Sequence, residues 1–164
     1  MRRDAVETGV LEPLARATPA SGSAASVWLH ATCVELSDTG IVLLGASGSG
    51  KSDLALRLID RGARLVADDQ LAVERQGDRL LGRPAEALAG LLEVRGYGIV
   101  KLPWRAPCPL GLAVGLDPVG PWPRLPEPES YDVLGVRLPY LRLDPRAPSA
   151  CAKIRLALTA ERLT

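Results

Sequence analysis

There is no phenylalanine in the chain, and all aromatic residues together make up 4% of it. A core must therefore be filled by leucine, valine, alanine and isoleucine, and a hydrophobic share of 47% is enough to fill one. Long apolar runs are missing as well. No stretch approaches the roughly 18 consecutive apolar residues that a membrane-spanning helix needs, so no membrane partner is expected. An excess of one charge is also absent. Twenty Lys and Arg against nineteen Asp and Glu leave a formal net charge of +1, with no long basic run, which argues against nucleic acid as a partner. Cysteine is scarce: Cys33, Cys108 and Cys151 are odd in number and too widely spaced for a metal-ligand pattern, so free buried thiols in a reducing cytoplasm are expected. Arg2-Arg3 begins like an export signal, but Asp4 and Glu7 follow and no apolar segment does. These exclusions leave a cytoplasmic enzyme or switch of 164 residues, a length suited to one domain.

What is present centres on Gly45-Ala46-Ser47-Gly48-Ser49-Gly50-Lys51-Ser52, with the spacing G-x-x-x-x-G-K-S of a phosphate-binding P-loop. Before it, Gly40 to Leu44 reads GIVLL, a buried strand. After it, Ser52 to Arg61 predicts an amphipathic helix with Leu54, Ala55, Leu58 and Ile59 on one face and Gly62 at a left-handed C-terminal position. The glycines let the backbone curl so that several N–H groups converge on a phosphate, with the helix N-terminus behind them. Lys51 would reach the β- and γ-phosphates and Ser52 would ligate Mg²⁺, so ATP with Mg²⁺ is the expected cofactor pair. A P-loop identifies the ligand class and not the reaction.

In chain order, residues 1–26 predict a disordered extension, with Ala, Ser, Thr, Gly and Pro dominating from Ala15 to Ser26; residues 27–164 form the expected single domain. Val27 to Leu36 predicts a strand paired as a hairpin with the P-loop strand through an Asp38-Thr39-Gly40 turn. His30 lies in it, and a lone strand histidine is more often structural than catalytic. Ala63 to Ala67 predicts an apolar strand that ends in Asp68-Asp69. Carboxylates at the end of a strand beside the P-loop strand hold Mg²⁺ or accept a proton, and a solvated turn is the plainer alternative. A second hairpin turns at Gln76-Gly77-Asp78, and Pro84 to Leu88 predicts a short helix with Pro84 in its first turn. Glu93 and Arg95 lie inside the apolar Leu91 to Val100 segment, where they are either a salt bridge or, beside a triphosphate, a metal ligand and a phosphate contact. Pro103 to Pro128 holds eight of the fourteen prolines and predicts surface loops interrupted by a Leu110 to Leu116 strand. Gly135 to Leu143 predicts a last strand with Pro139 at an edge or bulge, and Ser149 to Glu161 a helix capped by Ser149. The two hairpins imply a mixed sheet in an α/β domain.

Three motifs in order, GxSGxGKS, RGxRLVADD (Arg61 to Asp69) and LEVRGxGI (Leu92 to Ile99), resemble the catalytic domain of the HPr kinase/phosphorylase family, strongly from Leu29 to Val100 and faintly from Tyr131 to Arg146. The resemblance implies a nucleotide-binding core similar to that of phosphoenolpyruvate carboxykinase, and ATP-dependent phosphorylation of a serine in HPr, a phosphocarrier protein of a phosphotransferase system. It implies that Lys51 contacts phosphates, that Ser52 and Glu93 hold the metal beside Asp68, and that Asp69 is the catalytic acid/base. His30 matches the family's histidine in the strand before the P-loop strand, and Arg95 falls in a segment used for catalysis. The chain departs from the family in its short length, in Tyr131-Asp132-Val133 where an Arg is expected third, and in Pro145-Arg146-Ala147-Pro148-Ser149 where Gly-Arg-Asn is expected. These departures imply a short, single-domain form with kinase activity and little phosphorylase activity. They leave a homo-oligomer open and argue against the family's hexamer. Two other readings remain: a small-molecule kinase closing an Arg-bearing lid, for which Arg105 and Arg124 are the candidates, and a nucleotide-sensing module without catalysis.

Overall fold

The computed structural model describes residues 25–117 and 119–163, so the disorder expected over residues 1–26 falls, except for its last two residues, outside the described part. Strands β1 (Ser26–Leu29), β2 (Ala31–Leu36) and β3 (Thr39–Leu44) lead through the P-loop into helix α1 (Lys51–Asp60) and strand β4 (Arg64–Ala67). Strands β5 (Leu71–Gln76) and β6 (Arg79–Pro84) follow, then a 3-10 turn over Glu86–Leu88 and the pair β7 (Leu91–Val94) and β8 (Gly98–Lys101). Strand β9 (Cys108–Leu116), the hairpin of β10 (Glu129–Val133) and β11 (Val136–Leu143), and helix α2 (Ala150–Thr159) come after them.

The main sheet runs β1-β5-β6-β9-β3-β2-β4, with β11 also on β9 and β10 on β11. β3, β9 and β11 are parallel and the remaining neighbours antiparallel, so the sheet is mixed as expected. β3 is buried on both faces, which is why its sequence is a continuous apolar run. Ile41 and Leu43 face α1 and α2 with Leu54, Leu58, Val114 and Ile154; Val42 faces the other way, onto Leu29, Cys33, Leu71 and Val73. The apolar stripe predicted for α1 is the buried one, although Ile59 is only partly covered, and Gly62 has a φ of 100° past the helix end, with its N–H donating to the Ile59 carbonyl. The three cysteines are free and buried, and burial raises the Cys108 thiol to about 11. No helix among the described residues is long and apolar enough to cross a membrane.

Several expectations need correction. The strand expected over Val27 to Leu36 breaks at His30, because its two halves pair with different partners: β1 with β5, and β2 with β3 and β4. The tight turn of the β2–β3 hairpin is Ser37-Asp38, both at positive φ, and the Glu35 carboxylate accepts the Asp38 N–H. Pro84 ends β6, opposite Leu71, and is not in a helical turn. Leu91 to Lys101 is a separate two-stranded hairpin. β10 was not expected at all, since Glu129-Ser130-Tyr131-Asp132-Val133 has no apolar alternation and follows a run of prolines. Ser149 is at the N-terminal boundary of α2, but its side chain makes no capping hydrogen bond. Pro139 matches its expected edge position: it pairs with β10 on one side, and β11 meets β9 only from Tyr140 onwards.

Leu43 is fully buried in the central strand and Leu156 is 59% exposed on α2. Leu43→Ala should lower the unfolding free energy by about 2–5 kcal/mol and Leu156→Ala by about 0.5 kcal/mol at most, as read from urea denaturation of the two variants.

Candidate active site

The loop between β3 and α1 has the shape its glycines allow. Gly48 and Gly50 have φ values of 78° and 98°, a region that side-chain-bearing residues rarely occupy. At Gly45 the constraint is space: a Cβ there would lie 2.4 Å from Ser49 Oγ. That hydroxyl is buried and has no hydrogen-bond partner, a polar atom left unsatisfied inside the loop. Lys51, 6% exposed, donates from Nζ to the carbonyls of Gly45 (2.7 Å) and Ala46 (2.9 Å), so its charge is folded back over the loop. Burial lowers the Lys51 pKa, while the nearby Asp69 and Asp68 carboxylates act in the opposite direction. No side chain caps α1, which leaves its first N–H groups directed at whatever occupies the loop.

The acidic corner follows β4. That strand is not the immediate neighbour of β3, because β2 lies between them. Asp68 is nonetheless tied to the P-loop: its Oδ1 accepts hydrogen bonds from Ser52 Oγ and Thr32 Oγ1, each at 2.8 Å, and its Oδ2 accepts the Glu93 N–H at 3.2 Å. Asp69 has a φ of 66°, a conformation that aspartate tolerates better than most residues. Its Oδ1 lies 3.0 Å from His30 Nδ1. The register explains this contact. Leu29 is opposite Leu71, and Cys33 is opposite Ala67, so the break at His30 faces the turn between β4 and β5.

The cleft in front of the loop has a volume of about 610 Å³. Ser47, Gly48, Gly50, Lys51 and Ser52 form one wall, and Asp68 and Asp69 another. Glu93 and Arg95 enter from the β7 end, and among the described residues neither side chain makes a hydrogen bond or an ion pair; they are not a salt bridge to one another. Arg105, a candidate for a lid, is committed elsewhere: its Nη1 is 2.6 Å from Asp38 Oδ1 and 3.6 Å from Glu35 Oε1, at the other end of β3. The structure thus brings Ser47, Gly48, Gly50, Lys51, Ser52, Asp68, Asp69, Glu93 and Arg95 into one cleft, with Gly45, Ala46 and Ser49 in the same loop and His30 on Asp69, while Arg105 lies elsewhere. It also adds Thr32, Asp53, Leu56 and Val94. Thr32 left one sequence signal, a hydroxyl in an otherwise apolar stretch of strand.

The donor set fits a hard divalent cation. A hydroxyl and two carboxylates, from Ser52, Asp68 and Glu93, suit Mg²⁺, which keeps several waters and takes further oxygens from substrate phosphates. Among the described residues no group of three or more carboxylate, histidine or cysteine side chains makes a cage of its own, so a nucleotide would have to complete the coordination.

Residues 22–103 match the family described as the HPr Serine kinase C-terminal domain. The HPr kinase/phosphorylase of Halalkalibacterium halodurans is 35% identical over 125 residues, 70% of this chain and 38% of that protein. The HPr kinase/phosphorylase of Clostridium beijerinckii is 47% identical over 74 residues, 45% of this chain and 24% of that protein. The chain therefore spans well under half the length of these relatives. The solved Hpr(Ser) kinase/phosphatase from Coxiella burnetii superposes with a TM-score of 0.70 at 23% identity, covering 80% of this chain and 93% of the other, and so shares the fold.

Gly45→Ala should weaken nucleotide binding by about tenfold or more, because the methyl group displaces Ser49 and opens the loop. Ser49→Gly in the same chain should recover part of the loss. Titration calorimetry of both variants checks this.

Proposed function

Because this chain belongs to the HPr Serine kinase C-terminal domain family, we propose that it is an ATP-dependent kinase that phosphorylates a serine of an HPr-type phosphocarrier protein. The observation that supports this most is that Asp69, held by His30, opens onto the same cleft as Lys51. A serine hydroxyl is a poor nucleophile. In this reading the Asp69 carboxylate takes its proton as the serine oxygen bonds to the γ-phosphorus and the bond to the β-phosphate oxygen breaks. His30 holds Asp69 in a fixed orientation. Lys51 leaves the carbonyls of Gly45 and Ala46 for the β- and γ-phosphates, where it and the backbone N–H groups of residues 46–51 offset the charge that develops. Ser52, Asp68 and Glu93 hold Mg²⁺, which supplies charge neutralisation on the phosphates when bound. Arg95, exposed at the cleft mouth, contacts the transferring phosphoryl group or the incoming protein.

Both ATP and a phosphocarrier substrate place the protein in the cytoplasm in this reading. The altered segments at Tyr131-Asp132-Val133 and Pro145 to Ser149 favour kinase over phosphorylase activity. The commitment of Arg105 to Asp38 and Glu35 weighs against a small-molecule kinase with Arg105 in its lid.

Incubation with γ-labelled ATP, Mg²⁺ and HPr-type carriers tests the proposal. Label is expected on a carrier serine, lost by at least about 100-fold in Asp69→Asn with ATP affinity retained, and lost together with ATP affinity in Lys51→Ala. ATP binding without label on any carrier would favour a nucleotide sensor instead.

A further inference from the structure

Resting on the reading of the cleft as a Mg²⁺–ATP site, we propose that Thr32 is a positioning residue: through Asp68 it aims the Ser52 hydroxyl at the metal. Thr32 is in β2 and is 0% exposed. Its neighbours in the strand, Ala31, Cys33 and Val34, are apolar and equally buried. Its hydroxyl donates to Asp68 Oδ1 at 2.8 Å, the same oxygen that accepts the Ser52 hydroxyl at 2.8 Å. The other carboxylate oxygen accepts the Glu93 N–H at 3.2 Å. Both oxygens of Asp68 are thus engaged, by donors from β2, α1 and β7.

A hydroxyl has one proton and two lone pairs. With its proton committed to Asp68, Ser52 Oγ has its lone pairs free for a cation, and their direction is set by where the carboxylate sits. Ser52 cannot fix that position by itself, because it is the group being aimed. Thr32 can, because it is on a buried central strand and is bonded to the same oxygen from the protein side. The choice of residue type points the same way. A buried hydroxyl carries a desolvation cost that its hydrogen bond only roughly offsets, so valine, of the same shape, would serve the strand equally well. The hydroxyl matters to the site and not to the sheet.

The test compares Thr32→Val and Thr32→Ser with the unaltered protein, measuring ATP affinity by calorimetry across a Mg²⁺ titration, with Tm alongside. Thr32→Val should need about tenfold more Mg²⁺ to reach half its maximal gain in ATP affinity, while affinity without Mg²⁺ stays unchanged and Tm falls by only a few degrees, from the hydrogen bond to Asp68 that is lost. Thr32→Ser, which restores the hydroxyl, should behave as the unaltered protein. The proposal is overturned if Thr32→Val keeps the normal Mg²⁺ response, or if it loses affinity equally with and without Mg²⁺, which would mark a purely structural role. If ATP binding by the unaltered protein shows no response to Mg²⁺, the reading of the cleft fails and this proposal with it. A normal response in the unaltered protein that persists in Thr32→Val overturns the proposal alone.

Discussion

Asp68 is the point at which three separate parts of the chain hold one another. Its carboxylate accepts a hydroxyl from a buried strand, a hydroxyl from the first turn of the P-loop helix and a backbone N–H from the β7 hairpin. Hydrogen bonds to a charged acceptor contribute about 1.5–3 kcal/mol each. Losing the carboxylate would therefore loosen the loop, the sheet and the cleft wall together. The next residue, Asp69, inherits its placement from that anchor, since the two share a turn in which the Gln70 N–H donates to the Asp68 carbonyl.

The sheet creates this corner by changing partners. β1–β5 and β2–β4 are two antiparallel pairs made from the same two lengths of chain, and between them both chains leave one pairing for the other. His30 sits at the change on one chain, and Asp68 to Gln70 at the change on the other. Residues released from a ladder are free to present polar side chains, and here they present them to the P-loop. The opposite end of β3 is stabilised differently. There the buried Glu35 meets Arg64 at 2.8 Å, and Arg105 beside Asp38 holds that carboxyl below its ordinary range. This network closes the β2–β3 turn and takes no part in the cleft.

The features legible in the sequence were local ones. The P-loop, its strand and its helix depend on residues close to one another in sequence, and the two hairpins on short turns; these and the mixed sheet they imply agree with the structure, although the first turn is Ser37-Asp38 rather than Asp38-Thr39-Gly40. The break at His30 was not legible, because Val27 to Leu36 alternates like one strand and only its partners, Leu71 and Ala67, divide it. β10 was hidden because Tyr131 packs on Tyr140 of its hairpin partner, a contact that propensity does not reveal. Pro84 suggested a helix start because proline suits a first turn and the end of a strand alike. The Thr32–Asp68 hydrogen bond is not legible because its partners lie 36 positions apart. Lys51, Ser52, Asp69 and Glu93 stand out in the sequence only because their types match a known chemistry and family.

The account rests on the acidic corner being preformed, with the loop lysine as the part that moves. A crystal structure with a non-hydrolysable ATP analogue and Mg²⁺ tests this most directly. Lys51 Nζ should leave the Gly45 and Ala46 carbonyls for the phosphates, while Asp68 keeps its bond from Thr32 and Asp69 its contact with His30. A triphosphate bound away from the P-loop, or an Asp69 carboxylate turned out of the cleft and parted from His30, would contradict the account.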